Sequence, residues 1–135
     1  MITEYDQIIN QIDKINPIKY SSDRNFIDGS VSKLSPYISR GVISTRQVLN
    51  HLLDKGFEIS QIQKFIQELS WRDYWQRIWQ EKDIDVNIKH VQENVFYNGI
   101  SKNILDANTS IVSIDKAINE LYNTGYMHNH LRMYV

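Results

Sequence analysis

Apolar residues along this chain recur at steps of three and four, and the runs are bracketed by residues that start or stop helices. A period near 3.6 gathers such side chains on one helical face, whereas a half-buried strand needs alternation at steps of two. Ile2, Tyr5, Ile8, Ile9, Ile12 and Ile15 form the first run, with Thr3 placed to cap it and Pro17 to end it. Residues 16–34 lose the period and are rich in Ser, Asp, Asn and Gly, which predicts a loop. Ser35-Pro36 opens a short helix, because proline suits the first helical position, and Gly41 closes it. Ser44 with Gln47 matches a capping box ahead of Val48, Leu49, Leu52 and Leu53, and that helix stops at Gly56. Ser60 with Gln63 repeats the signal before a long helix to about Glu81. Residues 83–100 read mostly as loop and residues 102–105 as a short turn. Ile114, Ala117, Ile118, Leu121 and Tyr122 mark another helix ending at Gly125, and residues 126–135 look like the start of a further one. The stretch from Val91 to Tyr97 alternates poorly and has no partner strand, so the expected class is all-α.

The 135 residues predict one helical domain over residues 1–135, too short for a nucleotide-binding sheet domain plus a second large domain. A hydrophobic share of 41% is enough for a core, which argues against bulk disorder. The net charge of −1 means that any basic surface meeting nucleic acid has to be local. With no cysteine, disulfides, zinc–thiolate sites, iron–sulfur clusters and a cysteine nucleophile are excluded. The apolar runs are too short for a membrane span, and the first twenty residues, with Glu4, Asp6 and Asp13, lack a signal-peptide core. A cytoplasmic protein without membrane contact is expected.

Three places carry possible chemistry. In the long helix, Ile62, Phe65, Ile66 and Leu69 make one apolar stripe; Trp71, Tyr74, Trp75, Ile78 and Trp79 make a second, rotated around the axis. The second stripe is either aromatic core or a stacking wall for a planar ligand. Glu68, Arg72 and Asp73 lie within a turn of Trp71 and suit either a polar aromatic ligand or a salt-bridged surface. From Lys19 to Arg46 five basic residues face two acidic ones, accompanied by hydroxyls at Ser21, Ser22, Ser30, Ser32 and Ser35. Ser32 and Ser35 at a helix start would suit a phosphate or a simple cap. No GxGxxG and no P-loop lysine occur, which excludes Rossmann and Walker sites. In the last ten residues, His128 and His130 are two apart and share no helical face, so no metal site is expected. Asn129 and Arg132 are three apart and would present an amide and a guanidinium on one face.

Taken in order, three segments resemble the cryptochrome/DNA photolyase family, in particular its multi-helical FAD-binding domain. Val31-Ser32-Lys33-Leu34-Ser35-Pro36-Tyr37-Ile38-Ser39-Arg40-Gly41, with Tyr20 upstream, is similar to T-S-x-L-S-P-Y-L-x-x-G. Glu68-Leu69-Ser70-Trp71-Arg72-Asp73-Tyr74-Trp75 is similar to E-L-x-W-R-E/D-F-Y. Thr124-Gly125-Tyr126-Met127-His128-Asn129-His130-Leu131-Arg132-Met133 is similar to T-G-W-M-H-N-R-x-R-M, and Asp115 to Leu121 fits the V-D-A-A-M-R-Q-L stretch ahead of it. The resemblance runs from about Tyr20 to Val135.

The resemblance implies a flavoprotein with FAD as cofactor and damaged DNA as partner. Tyr20, Val31, Ser32, Lys33, Leu34 and Ser35 would hold FAD, with Arg72 near it and Arg132 near the isoalloxazine. Glu68, Trp71 and Asn129 match positions lining the pocket for a flipped-out pyrimidine dimer. The implied activity is that of a deoxyribodipyrimidine photo-lyase, in which light-excited reduced flavin donates an electron to the dimer. Several positions depart from the pattern. His130 stands for an arginine, Tyr126 for a tryptophan, Lys33 for the commoner arginine, and Ile104 for a tryptophan of the electron-transfer chain. The domain's remaining C-terminal side and the α/β antenna domain are not in the sequence. Two alternatives follow: a cryptochrome-like flavoprotein without repair, and a non-catalytic helical binding module.

Overall fold

A computed structural model describes residues 2–84, 86, 94 and 96–135. Every regular element among them is helical, so the all-α class holds. The chain divides into two compact units, Ile2–His90 and Val91–Val135.

In the first unit, α1 (Tyr5–Asp13), α2 (Pro17–Asp23), α3 (Ser35–Ser39), α4 (Thr45–Asp54) and α5 (Gln63–Glu81) follow one another. Ile8 and Ile12 of α1, Val48 and Leu52 of α4 and Phe65 of α5 are buried together with Leu34, Tyr37, Ile43 and Ile62. Each fully buried Ile or Leu contributes roughly 1.5–3 kcal/mol of transfer free energy. The expected box at Ser44 is present: Ser44 Oγ accepts from Gln47 N–H at 3.1 Å, and Gln47 Oε1 accepts from Ser44 N–H at 2.8 Å.

Three expectations are corrected here. Thr3 is not the cap of α1; Glu4 holds that position without a side-chain bond, one residue nearer the helix. Residues 16–34 are not all loop, because Pro17 starts α2 rather than only ending α1. Asn16 Oδ1 accepts from Lys19 N–H at 2.9 Å, so the cap and the fixed proline φ nucleate a turn that apolar periodicity does not reveal. Ser60 does not cap α5: Gln61 Oε1 accepts from Glu58 N–H, opening a 3-10 turn over Ile59–Gln61 that runs into α5 through Ile62.

In the second unit, α6 (Lys102–Leu105) precedes α7 (Val112–Thr124). Ala117 and Ile118 of α7 pack with Met127 and Leu131, and Ile104, Ala107 and Ile114 lie against them. Gly125 ends α7 at φ 74°, the left-handed conformation that glycine adopts without steric cost. Thr109 donates to Asp115 Oδ1 from both its backbone N–H (2.8 Å) and its hydroxyl (2.6 Å), which folds the chain ahead of α7 onto its first turn. The further helix expected after Gly125 is only a 3-10 turn, Leu131–Met133. Residues 91–97, read as poor strand, lie for the most part outside the described residues, as does part of the loop expected at 83–100.

Candidate functional site

In the first unit α2 packs against α5, where Tyr20 meets Phe65 and Arg24 approaches Glu68. Tyr20 is half-buried, and its ring meets Phe65 edge-on with centroids 5.0 Å apart. One turn further on, at the residue that closes α2, Arg24 places Nε 3.8 Å from Glu68 Oε1 and donates from Nη1 to the Ser21 carbonyl at 3.0 Å. Lys64 reaches the same oxygen, Glu68 Oε1, at 2.9 Å. Glu68 is therefore held between a cation of its own helix and one at the end of α2.

The loop from α2 to the Val31–Ser35 segment is tightly closed. Asp23 at the end of α2 accepts from Ser30 N–H at 2.9 Å and from Ser30 Oγ at 3.0 Å. The Ser30 backbone bond holds the Asp23 carboxyl below its ordinary range; desolvation opposes it, and the Ser30 hydroxyl adds a further lowering. Gly29 is required for this closure, since a Cβ there would stand 2.0 Å from the Asp23 carbonyl oxygen.

Beyond the closed loop, Val31, Ser32 and Ser35 are half-buried, Leu34 is buried and Lys33 is exposed. Lys33 has φ 55°, a left-handed conformation that turns the chain between Ser32 and Leu34. Ser32 and Ser35 do not cap a helix. Leu34 holds the cap position of α3 without a side-chain bond, and Ser32 Oγ instead accepts from Leu34 N–H at 3.4 Å. A five-residue helix has little dipole, so the start of α3 adds little attraction for a phosphate. What remains is a lysine and two hydroxyls on one short segment, a donor set that suits an anion.

On α5, the second aromatic stripe is not core. Trp71 is 46% exposed, Trp75 54% and Trp79 61%, so roughly half of each side chain is open to its surroundings. Trp71 lies 6.4 Å from Trp75 with rings 23° from parallel, and Tyr74 sets its edge against both. Arg72 is half-buried beside them. Asp73 faces the other way and accepts from Thr45 Oγ1 at 2.9 Å, tying α5 to the start of α4. Sequence reasoning missed Lys64, Gly29 and the Asp23–Ser30 closure, and counted Arg24 only among the five basic residues from Lys19 to Arg46. The i, i+4 spacing of Lys64 and Glu68 was a usable signal; the Arg24–Glu68 approach spans 44 residues and had none.

In the second unit, Asn129 is exposed and Arg132 folds back, donating from Nε to the Met127 carbonyl at 3.1 Å. Burial, with Glu120 adding to it and Arg132 opposing, pushes the Tyr126 phenol up from its ordinary value. His128 is buried, and its Nδ1 accepts from His130 N–H at 3.2 Å, which selects the ring form protonated at Nε2. No group of three or more His, Cys, Asp or Glu side chains suited to a metal is found among the described residues, and none of their helices is long and apolar enough to cross a membrane.

The class these observations define is an all-helical chain that carries an exposed aromatic and ionic helix face and a tightly turned segment with a lysine and two serines. Comparison with known proteins is more specific. The chain is similar to the deoxyribodipyrimidine photo-lyase of Alkalihalophilus pseudofirmus, 29% identical over 84% of this chain and 25% of the relative. It is also similar to that of Vibrio cholerae, 33% identical over 77% of this chain and 24% of the relative. The mitochondrial deoxyribodipyrimidine photo-lyase of Saccharomyces cerevisiae is 28% identical over 85% of this chain and 23% of the relative. The chain thus spans about a quarter of the length of the curated relatives it matches. No family model matches, and no solved structure matches. Similarity to several photolyases across most of the chain supports the photolyase family. A match over 84% of the chain is longer than either compact unit, so it extends into both.

Proposed function

We propose that this chain is part of the helical FAD-binding domain of a photolyase-like flavoprotein, with both compact units contributing to a single domain. The observation that carries the reading is the similarity to photolyases across both units, with the three motifs in family order. The residues present suit the cofactor. Val31, Ser32, Lys33, Leu34 and Ser35 would lie along the FAD phosphates, where the Lys33 charge and the serine hydroxyls neutralise and bind oxygen anions. Tyr20, Arg72 and Arg132 are the further residues that would hold the cofactor. When bound and reduced, FAD supplies the light-driven electron that splits a pyrimidine dimer, and the protein supplies position and electrostatics.

DNA damage is the proposed partner. Trp71 offers a half-exposed ring on which an extruded base stacks, offsetting the few kcal/mol of unstacking. Glu68 and Asn129 each offer acceptors for pyrimidine edges. Departures from the family favour a second reading, a flavoprotein that does not repair: Ile104 packs against the Ala117–Ile118 cluster, where an aliphatic side chain cannot carry an electron hole. Two measurements separate the readings. Added FAD raises the thermal midpoint of the protein, and absence of any shift contradicts FAD binding. Illumination with reduced FAD then restores dimer-containing oligonucleotides; flavin binding with dimers left intact selects the non-repairing reading.

A further inference from the structure

We propose that Lys64 is a positioning residue for Glu68, and that it makes the Glu68–Trp71 face select a ligand presenting an N–H donor. The inference rests on the reading of that face as a pocket for a damaged pyrimidine. Both cations that approach Glu68 converge on one oxygen, Oε1: Lys64 Nζ at 2.9 Å and Arg24 Nε at 3.8 Å. Neither cation is loosely placed. Lys64 Nζ also donates to Gln67 Oε1 at 2.8 Å, and Arg24 Nη1 is fixed on the Ser21 carbonyl. The carboxylate is thus oriented from α5 and from the residue that closes α2.

An oxygen that only accepts is complementary to an N–H and repels a carbonyl. A pyrimidine imide meets it through N3–H, and methylation of N3 removes that donor. The Lys64–Glu68 pair contributes little to folding, because both side chains are about one-third exposed and a lysine preceding glutamate is the weaker i, i+4 order. Its effect therefore belongs to orientation of the acceptor rather than to stability.

The test is equilibrium anisotropy with two oligonucleotides, one carrying a cyclobutane thymine dimer and one the same dimer methylated at both N3 positions. The wild-type chain prefers the unmethylated dimer by about fivefold, the worth of one net hydrogen bond. Lys64→Met abolishes most of that preference with an unchanged thermal midpoint, and Lys64→Arg restores it. If the wild type shows the preference and Lys64→Met keeps it, or loses it only together with thermal stability, the positioning role is overturned while the pocket reading stands. If the wild type binds both dimers equally, the donor selection is overturned. If it binds neither, the pocket reading falls, and the role of Lys64 with it.

Discussion

At the scale of single residues, the most demanding position is Gly29. Its replacement by alanine drives a Cβ to 2.0 Å from the Asp23 carbonyl oxygen, a backbone atom that cannot move aside without opening the loop. Gly29→Ala is expected to destabilise the protein by at least about 1–3 kcal/mol, measured by denaturant unfolding. The Thr109–Asp115 closure gives a pH prediction. The Thr109 hydroxyl first and its backbone N–H second hold the Asp115 carboxyl below its ordinary value of 3.8. The stability from this closure is complete above 3.8 and is lost as pH falls through the lowered folded value. In Thr109→Val the hydroxyl bond is gone and the backbone bond stays, so the Asp115 titration moves up toward its ordinary value. A carboxyl-carbon NMR titration reads this directly, and an unmoved midpoint contradicts the assignment. Arg72→Ala is expected to weaken FAD binding by about 10- to 100-fold, the cost of one charge-assisted hydrogen bond, with a smaller effect on unfolding. Equal losses in both would mark Arg72 as structural.

At the scale of elements, α2 shows how much of a site can sit on a helix that the apolar pattern hides. Its seven residues include Tyr20, and Arg24 follows directly, yet only Asn16 and Pro17 announce it. Asn16→Ala removes the cap and should cost about 1 kcal/mol, with Glu68 losing part of its Arg24 contact as α2 frays. The longer helices were legible because burial follows their periodicity. Val48 and Leu52 of α4 and Ala117 and Ile118 of α7 lie where the three- and four-residue steps put them. The Ser44 box and the Gly125 stop were readable for the same local reason. The start of α5 was misplaced because Glu58 with Gln61 competes with Ser60 with Gln63, and only the 3-10 turn between them decides the register. The exposure of the Trp71 stripe was not legible either. Aromatics at helical spacing look alike whether buried or bare, and their burial depends on which elements pack against them.

At the scale of the whole chain, the motifs gave the family reading and the comparisons agree with it, while the structure explains how the first unit arranges its share. The closed Asp23–Ser30 loop leads into the Val31–Ser35 segment, and α2 meets α5 where Tyr20 packs on Phe65 and Arg24 faces Glu68. Long-range approaches of this kind have no local sequence signature, which is why Glu68 and Trp71 were legible by motif and the approach of Arg24 to Glu68 was not. The near-neutral total charge is compatible with an anionic cofactor because the positive excess is concentrated between Lys19 and Arg46. The central claim, that this chain holds a flavin, is tested most directly by the absorbance spectrum of the purified protein after incubation with FAD and removal of the free cofactor. FAD binding predicts retained flavin bands in near-stoichiometric amount; a spectrum with the protein's own aromatic absorbance alone would contradict it.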